Sequence, residues 1–314
     1  MPEILTAGEI LVEVMRKERD VPLWIQGDFS GPYPSGAPAI FIDQVACLGH
    51  SAGIVGAVGN DEFGYKILRR LSLDGVDVSL VRRVDEAVTA VAFVSYAKSG
   101  ERKFLYHIAR AAAGHITKPP SESIEGVRVF HVMGCSLMVS EEMRSVIVDI
   151  ASRVKGNGGL ISFDPNIRVE LLGGGKLEEV IRPILEITDV IIPGEKELLS
   201  ITGKSSQDEA CRWLFSKGIE RIVIKRGKNG ARFVKPEKVI DVPSFAVDEV
   251  DPTGAGDAFD AGFVCGLIEE LPPEECLRLA SACGALNASY FGPMEGVFHR
   301  EYVEYFMKKR AVSR

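Results

Sequence analysis

Six apolar runs rich in β-branched residues, at positions 4–15, 51–58, 127–133, 159–163, 189–192 and 221–225, alternate along this chain with stretches of helical periodicity at 39–48, 63–74, 141–154, 177–187, 195–201 and 207–217. Such strands are buried on both faces of a parallel sheet, and the intervening helices carry the chain back across it. The alternation predicts an α/β fold, with a mainly parallel central sheet between two helical layers. Ligands in such folds bind beyond the carboxyl ends of the strands. With 314 residues, 46% of them hydrophobic, the chain is large enough to bury one large core or two smaller ones. It contains no internal repeat and no low-complexity linker, so residues 1–314 are expected to form one domain.

One stretch departs from this rhythm. Residues 89–96 and 102–108 are rich in β-branched and aromatic side chains and are separated by Lys98, Ser99, Gly100 and Glu101, which predicts a hairpin. Together with a loop around residues 16–34, the hairpin is expected to form a small lid, from about 12–35 and 88–110; the alternative is a plain antiparallel extension of the main sheet. A lid would exclude water from a transfer site.

Near the C-terminus the chain reads Asp251, Pro252, Thr253, Gly254, Ala255, Gly256, Asp257, Ala258, Phe259. Ala258, Phe259, Ala261, Phe263, Val264, Leu267 and Ile268 then keep an apolar face at three- and four-residue spacing until Leu271, Pro272 and Pro273. A glycine loop entering a helix suits an anion, because unpaired N–H groups and the helix dipole meet there and glycine lets a ligand approach the backbone. Asp257 falls in the first turn. Taken alone it is equally a helix cap, but five fixed residues in the pattern Asp-x-Thr-Gly-x-Gly-Asp make chance a poor explanation.

Several functions are disfavoured. A net charge of −7 argues against a nucleic-acid partner. No run of eighteen apolar residues appears, and Met1, Pro2 and Glu3 lead directly into a strand, so neither a membrane span nor a signal peptide is expected and the protein reads as cytoplasmic. Cys47, Cys135, Cys211, Cys265, Cys276 and Cys283 form no Cys-x-x-Cys and read as reduced core thiols. The five histidines show no metal-ligand spacing, so no zinc site is expected. Gly173, Gly174, Gly175 and Lys176 are no phosphate-binding P-loop, because Leu177 stands where Ser or Thr is needed. A dinucleotide enzyme is disfavoured too, since no Gly-x-Gly-x-x-Gly follows the first strand.

The loop at 251–257 resembles the signature of the ribokinase family, also called the PfkB carbohydrate kinases. The resemblance implies a ribokinase-like three-layer α/β/α sandwich with a small β-sheet lid, using ATP and Mg²⁺, with a monovalent cation as a further candidate cofactor. It implies Asp257 as the base that takes the proton of the sugar hydroxyl, and Gly254, Ala255 and Gly256 as an anion hole. Phosphoryl transfer suits such a site, because it depends on positioning and charge stabilisation. Nearby cations are expected to keep Asp257 ionised.

Further segments extend the resemblance over nearly the whole chain. Gly8, Glu9, Ile10, Leu11, Val12 and Glu13 are similar to a family strand whose acid bonds sugar hydroxyls; Glu13 takes that place, or is a strand-end surface charge. Ser35, Gly36, Ala37, Pro38, Ala39 and Ile40 resemble the sugar loop, with Ser35 for a Gly and Ile40 for an Asn. Asp43 and Gln44 are candidates to replace that Asn, or are helix-surface groups. Asn60 or Asp61 is expected to cap the next helix. Tyr106, His107 and Arg110 fall where sugar-acid kinases carry Tyr-Arg-x-x-Ser. With His107 in place of the Arg, Arg110 reaches in or the substrate is neutral.

Asp164, Asn166 and Arg168 match Asp-x-Asn-x-Arg, which places Asn166 near ATP and gives Arg168 the stabilisation of charge; an Asp-Pro turn with a surface Arg is the plainer reading. Glu197 keeps the acid of the family's Asn-x-x-Glu and is the candidate to hold Mg²⁺ through water, although Gly194 replaces the Asn. Lys225, Gly227 and Gly230 resemble the nucleotide loop, or form a hairpin turn. Small residues around Ser281 admit an adenine ring or permit close helix packing.

The expectation is an ATP-dependent kinase acting on a primary hydroxyl of a small sugar, closest to the fructokinase and 2-keto-3-deoxygluconate kinase branch, with a fructose- or tagatose-like ketohexose preferred through His107. A sugar acid, a nucleoside, or a non-catalytic sugar or nucleotide sensor are the alternatives. A homodimer through the lid is a further candidate.

Overall fold

The computed structural model describes residues 1–98 and 102–311. Strands β1 (Ile4–Ala7), β2 (Leu11–Arg16) and β3 (Phe29–Ser35) precede helix α1 (Ala37–Cys47), and β4 (Ala52–Gly59), α2 (Glu62–Leu73), β5 (Val81–Val84), β6 (Ala90–Tyr96) and β7 (Arg102–His107) follow. The chain continues through β8 (Val129–Met133), α3 (Gly134–Val139), α4 (Glu141–Gly156), β9 (Leu160–Asp164), α5 (Leu177–Leu185), β10 (Val190–Ile191), α6 (Glu195–Thr202), α7 (Gln207–Ser216) and β11 (Arg221–Lys225). Beyond these lie β12 (Ala231–Lys235), β13 (Lys238–Val242), α8 (Ala255–Ile268), α9 (Pro273–Ala288) and α10 (Arg300–Ala311).

A nine-stranded sheet runs β13-β12-β11-β10-β9-β8-β1-β4-β5, parallel from β11 to β5 and antiparallel where β12 and β13 are added. Successive residues on its inner strands enter opposite cores. Ile4, Val129 and Val223 join a cluster with α1, α8 and α9, whereas Leu5, Phe130 and Ile222 join one with α4, α5 and α7. Two separate apolar layers against one sheet are the physical content of a three-layer α/β/α sandwich. No helix of the described residues is long and apolar enough to cross a membrane.

The second sheet, β3-β2-β6-β7, is separate from the first and has four strands. The expected hairpin is β6 and β7, paired antiparallel; its Ser99, Gly100 and Glu101 turn lies outside the described residues. The single strand expected at residues 4–15 is in fact two. β1 pairs in the large sheet and β2 in the small one, and the chain leaves the first sheet at Gly8, whose φ is +155° and where a Cβ would lie 2.3 Å from Ser136 Oγ. Apolarity did not mark this break, because Ile10, Leu11 and Val12 are as buried as Ile4 and Leu5.

Asp61 is the residue that caps α2, accepting from Gly64 N at 2.9 Å, and it also accepts from Thr89 N and Oγ1 at 2.7 Å. It thereby ties the first turn of α2 to the approach to β6.

Candidate active site

The carboxyl ends of β8, β9 and β11 face the first turn of α8, and the small sheet closes over them. The cavity between holds about 200 Å³. Glu13, Ser35, Arg102, Phe104 and Tyr106 line it from the small sheet; Glu9, Asn166, Arg168, Lys225, Gly254, Gly256 and Asp257 line it from the body.

Gly254 is the N-cap of α8 with φ +78°, a left-handed conformation that glycine adopts without strain, and a Cβ there would lie 2.2 Å from the Pro293 carbonyl. Gly254 and Gly256 line the cavity, where first-turn N–H groups have no partner within the helix, while the Ala255 N–H donates to the Pro252 carbonyl at 3.3 Å. Asp257 is buried in that turn, and its Oδ1 accepts from Asn166 Nδ2 at 3.0 Å. Asn166 is held at φ +34°, sparsely populated backbone outside glycine, with its N–H on Asp164 Oδ1 at 3.1 Å. Burial and the negative charge of Asp164 push the Asp257 carboxyl up to about 7, against the pull of Lys225, Arg168 and Arg102. The cations do not outweigh burial, contrary to the sequence expectation, and the group sits where a general base works near neutral pH.

Beneath the loop Lys225 Nζ reaches Asp164 Oδ2 at 2.6 Å and both oxygens of Asp260 at 3.1 and 3.2 Å. Asp164 and Asp260 are buried, and between them they hold the Lys225 ammonium well above its ordinary pKa. His131, stacked on Phe41, lies 3.9 Å from Asp260, and burial lowers its pKa to about 3, so it is neutral.

At the other end of the cavity Glu13 Oε1 accepts from Ser35 Oγ at 2.7 Å, while its buried Oε2 has no protein partner. Burial raises Glu13 to about 7. Glu9 accepts from Ser136 Oγ at 2.5 Å and Cys135 Sγ at 3.3 Å, and burial raises its pKa too. Two guanidiniums lie near the Phe104 ring, with Arg102 Cζ 5.6 Å and Arg168 Cζ 6.0 Å from its centroid, and Tyr106 stacks on it at 5.2 Å. Two lid strands are bonded to the glycine loop: Arg102 Nη1 donates to Thr253 Oγ1 at 3.0 Å, and Tyr96 OH to Asp251 Oδ2 at 3.3 Å.

A second cleft of about 420 Å³ adjoins the first, and Lys225, Pro252 and Gly256 line both. Gly227, Gly230, Ala255, Ser281, Gly284, Ala285 and Ala288 line its walls. On α9 the small residues serve two faces. Ala280, Ala282 and Cys283 are in the core, and a Cβ on Gly262 of α8 would lie 2.7 Å from Ala280 Cα. Ser281, Gly284, Ala285 and Ala288 turn to the cleft, where the buried Ser281 Oγ has no partner.

Most expected site residues therefore converge, and three corrections follow. His107 and Arg110 are exposed and do not line the cavity, because alternation along β7 turns Arg102, Phe104 and Tyr106 inward and His107 outward against Phe93. Asp43 and Gln44 do not reach it either: Asp43 accepts from Arg70 at 3.1 Å and Gln44 donates to the Phe298 carbonyl at 3.0 Å, leaving Ile40 as an apolar wall. Asn166 sits on Asp257 rather than in the second cleft. Among the lining or supporting residues to which the sequence reading gave no role are Glu9, Arg102, Phe104, Asp164 and Asp260. Counting back by twos from Tyr106 reaches Arg102, and Asp260 is a charge set within the apolar run of α8.

The pfkB family carbohydrate kinase pattern matches residues 1–299. The chain is 31% identical to the Arabidopsis thaliana protein named "Probable fructokinase-4", over 97% of this chain and 96% of that one. It is 30% identical to the 2-dehydro-3-deoxygluconokinase of Bacillus subtilis strain 168, over 87% of this chain and 86% of that one. An E. coli structure provisionally named ribokinase II, in complex with ATP and Mg²⁺, superposes with a TM-score of 0.91 at 38% identity, covering 98% of this chain and all of that one. This chain belongs to the PfkB carbohydrate kinase family. It is a sugar kinase with the ribokinase fold.

Proposed function

We propose that this kinase transfers the γ-phosphoryl group of ATP to a primary hydroxyl of a neutral ketohexose, fructose- or tagatose-like, with Asp257 as base. The observation that carries the reading is the position of the Asp257 carboxylate, held by Asn166 in the smaller cavity and next in sequence to Gly256, which lines both cavities. The larger cleft, with Gly227, Gly230 and Ser281, takes the nucleotide; the smaller takes the sugar. Asp257 Oδ accepts the hydroxyl proton as the oxygen attacks phosphorus, while the Gly254, Ala255 and Gly256 turn, Arg168 and the Lys225 ammonium face the charge of the transferring group. The four-stranded sheet acts as the lid and excludes water.

The preference for a neutral sugar no longer rests on His107. It rests on Glu13 and Glu9, two buried acids in the sugar cavity, with Glu13 Oε2 free to accept a hydroxyl. One observation favours a second reading: Arg102 and Arg168, both beside Phe104, would receive the carboxylate of a 2-keto-3-deoxygluconate-like acid.

Mg²⁺ would screen the ATP phosphates. Glu197 fits a water-mediated contact to it, since each of its oxygens takes one backbone N–H, from Ile167 at 2.9 Å and Gly194 at 2.8 Å, and retains a lone pair. Asp251 does not fit a monovalent cation, because its carboxylate already accepts from Thr253 N, Thr253 Oγ1, Gly292 N and Tyr96 OH. Exposed Leu105 on the outer face of the lid sheet, with exposed Trp24 and Ile25 in the loop before β3, supports a homodimer through the lid.

ADP release over ketoses, sugar acids and nucleosides, in wild type and Asp257→Asn, tests the reading. Turnover of ketohexoses that is lost in the variant supports it. Preference for a sugar acid selects the second reading, and substantial turnover in Asp257→Asn refutes the mechanism.

A further inference from the structure

Away from the transfer site, three chemically distinct donors meet where α1 ends, α2 ends and α10 is about to begin. The Cys47 Sγ, an Asp74 carboxylate oxygen and a ring nitrogen of His299 all lie within 4.8 Å of one another. Cys47 is buried and His299 is exposed, so one side of the cluster opens to solvent. Two carboxyl groups here share one guanidinium. Arg70 serves two carboxylates at once, Asp74 through Nε and Asp43 Oδ2 at 3.1 Å, and it also donates to the Met294 carbonyl at 3.3 Å. The buried Asp43 Oδ1 accepts no hydrogen bond.

We propose that Cys47, Asp74 and His299 form a binding site for a zinc-class divalent metal that clasps the segment entering α10 onto α1 and α2. Thiolate, imidazole and carboxylate together suit Zn²⁺ rather than Ca²⁺ or Mg²⁺, which take oxygen donors, and three protein ligands leave a fourth position for water. Zinc–ligand bonds of about 2.0–2.3 Å set tetrahedral ligands roughly 3.5 Å apart, so the cluster contracts on binding, and the exposed His299 side chain is the one free to move. Binding exchanges the Cys47 thiol proton, released to solvent, for the metal. Arg70 stays with Asp43 when Asp74 turns to the ion. The spacing of 47, 74 and 299 carries no motif, which is why sequence gave no zinc site. The proposal is independent of the kinase mechanism.

Co²⁺ titration of the full chain is the test, with the near-ultraviolet thiolate-to-cobalt band and the Zn²⁺-induced rise in Tm as readouts. One equivalent of Co²⁺ is expected to give the band. His299→Ala should weaken it about tenfold or more in affinity, Cys47→Ser should abolish it, and Cys211→Ser should leave it intact. His299 is at the surface, so its variant remains informative if Cys47→Ser fails to fold. A folded wild type with no band, or a band of unchanged affinity in His299→Ala, overturns the proposal.

Discussion

Lys225→Met removes the one ammonium between Asp164 and Asp260, two buried carboxylates that it holds at 2.6 and 3.1 Å. Breaking a buried ion pair by deleting one partner costs about 3–5 kcal/mol, because the remaining charge is left uncompensated. For 314 residues the entropy of unfolding is about 0.7 kcal/mol per degree, so Tm should fall by roughly 5–8 °C. A second substitution, Asp260→Leu, removes one of the two stranded carboxyl groups and should recover part of that loss. Catalysis supplies the sharper readout. Lys225 is first among the cations that draw the Asp257 pKa down. Without it the charged form of Asp257 is less favoured, its pKa rises, and the ascending limb of kcat/KM moves to higher pH. Differential scanning calorimetry and a pH profile from 5.5 to about 9 measure both effects. An unmoved limb in a folded variant would refute an electrostatic role for Lys225 at the base, and an unchanged Tm would refute the buried-pair reasoning.

In wild type, the ascending limb of kcat/KM is expected near pH 7, because Asp257 works only when ionised and its carboxyl is raised to about 7; a limb below pH 5 would exclude it as the titrating base. Glu13→Gln should raise the KM for sugar with a smaller change in kcat, since the free Oε2 acceptor is lost; steady-state kinetics check it. Gly254→Ala and Gly256→Ala should separate fold from function. A Cβ on Gly254 would lie 2.2 Å from the Pro293 carbonyl at a positive φ, whereas one on Gly256 meets nothing closer than Lys225 Nζ at 3.6 Å. The first should lower Tm, by a backbone strain of about 1–3 kcal/mol or more; the second should keep Tm and lower kcat by placing a methyl in the anion hole. Arg102→Ala, which frees β7 from Thr253, should increase ATP hydrolysis without sugar relative to transfer, measured as ADP formed per sugar phosphate.

What was legible in the sequence depended on whether a signal was local. The inner strands and their helices were, because each carries its own periodicity, and the loop at 251–257 was, because its glycines and acid are contiguous. The switch from β1 to β2 was not, since a chain passing between two sheets stays apolar throughout and only the φ of Gly8 marks the turn. The same contrast decided the lid residues. His107 was chosen by its place in a motif, yet facing in a strand is set by parity, and Tyr106 inward forces His107 outward and Arg102 inward. That exchange alters the chemistry of the sugar cavity. Arg102 brings a guanidinium that is bonded to Thr253 and, like Arg168, lies beside Phe104. The cavity thus presents two acids and two guanidiniums, with Arg102 close enough to Glu13 and Arg168 close enough to Glu9 to favour the charged acid. A substrate with hydroxyls towards Glu13 and Glu9 is common to both readings, so the selection between ketose and sugar acid falls to Arg102. If its bond to Thr253 persists with sugar bound, the guanidinium is spent on holding the lid to the loop and a neutral ketose follows; if the bond opens, a carboxylate has taken its place.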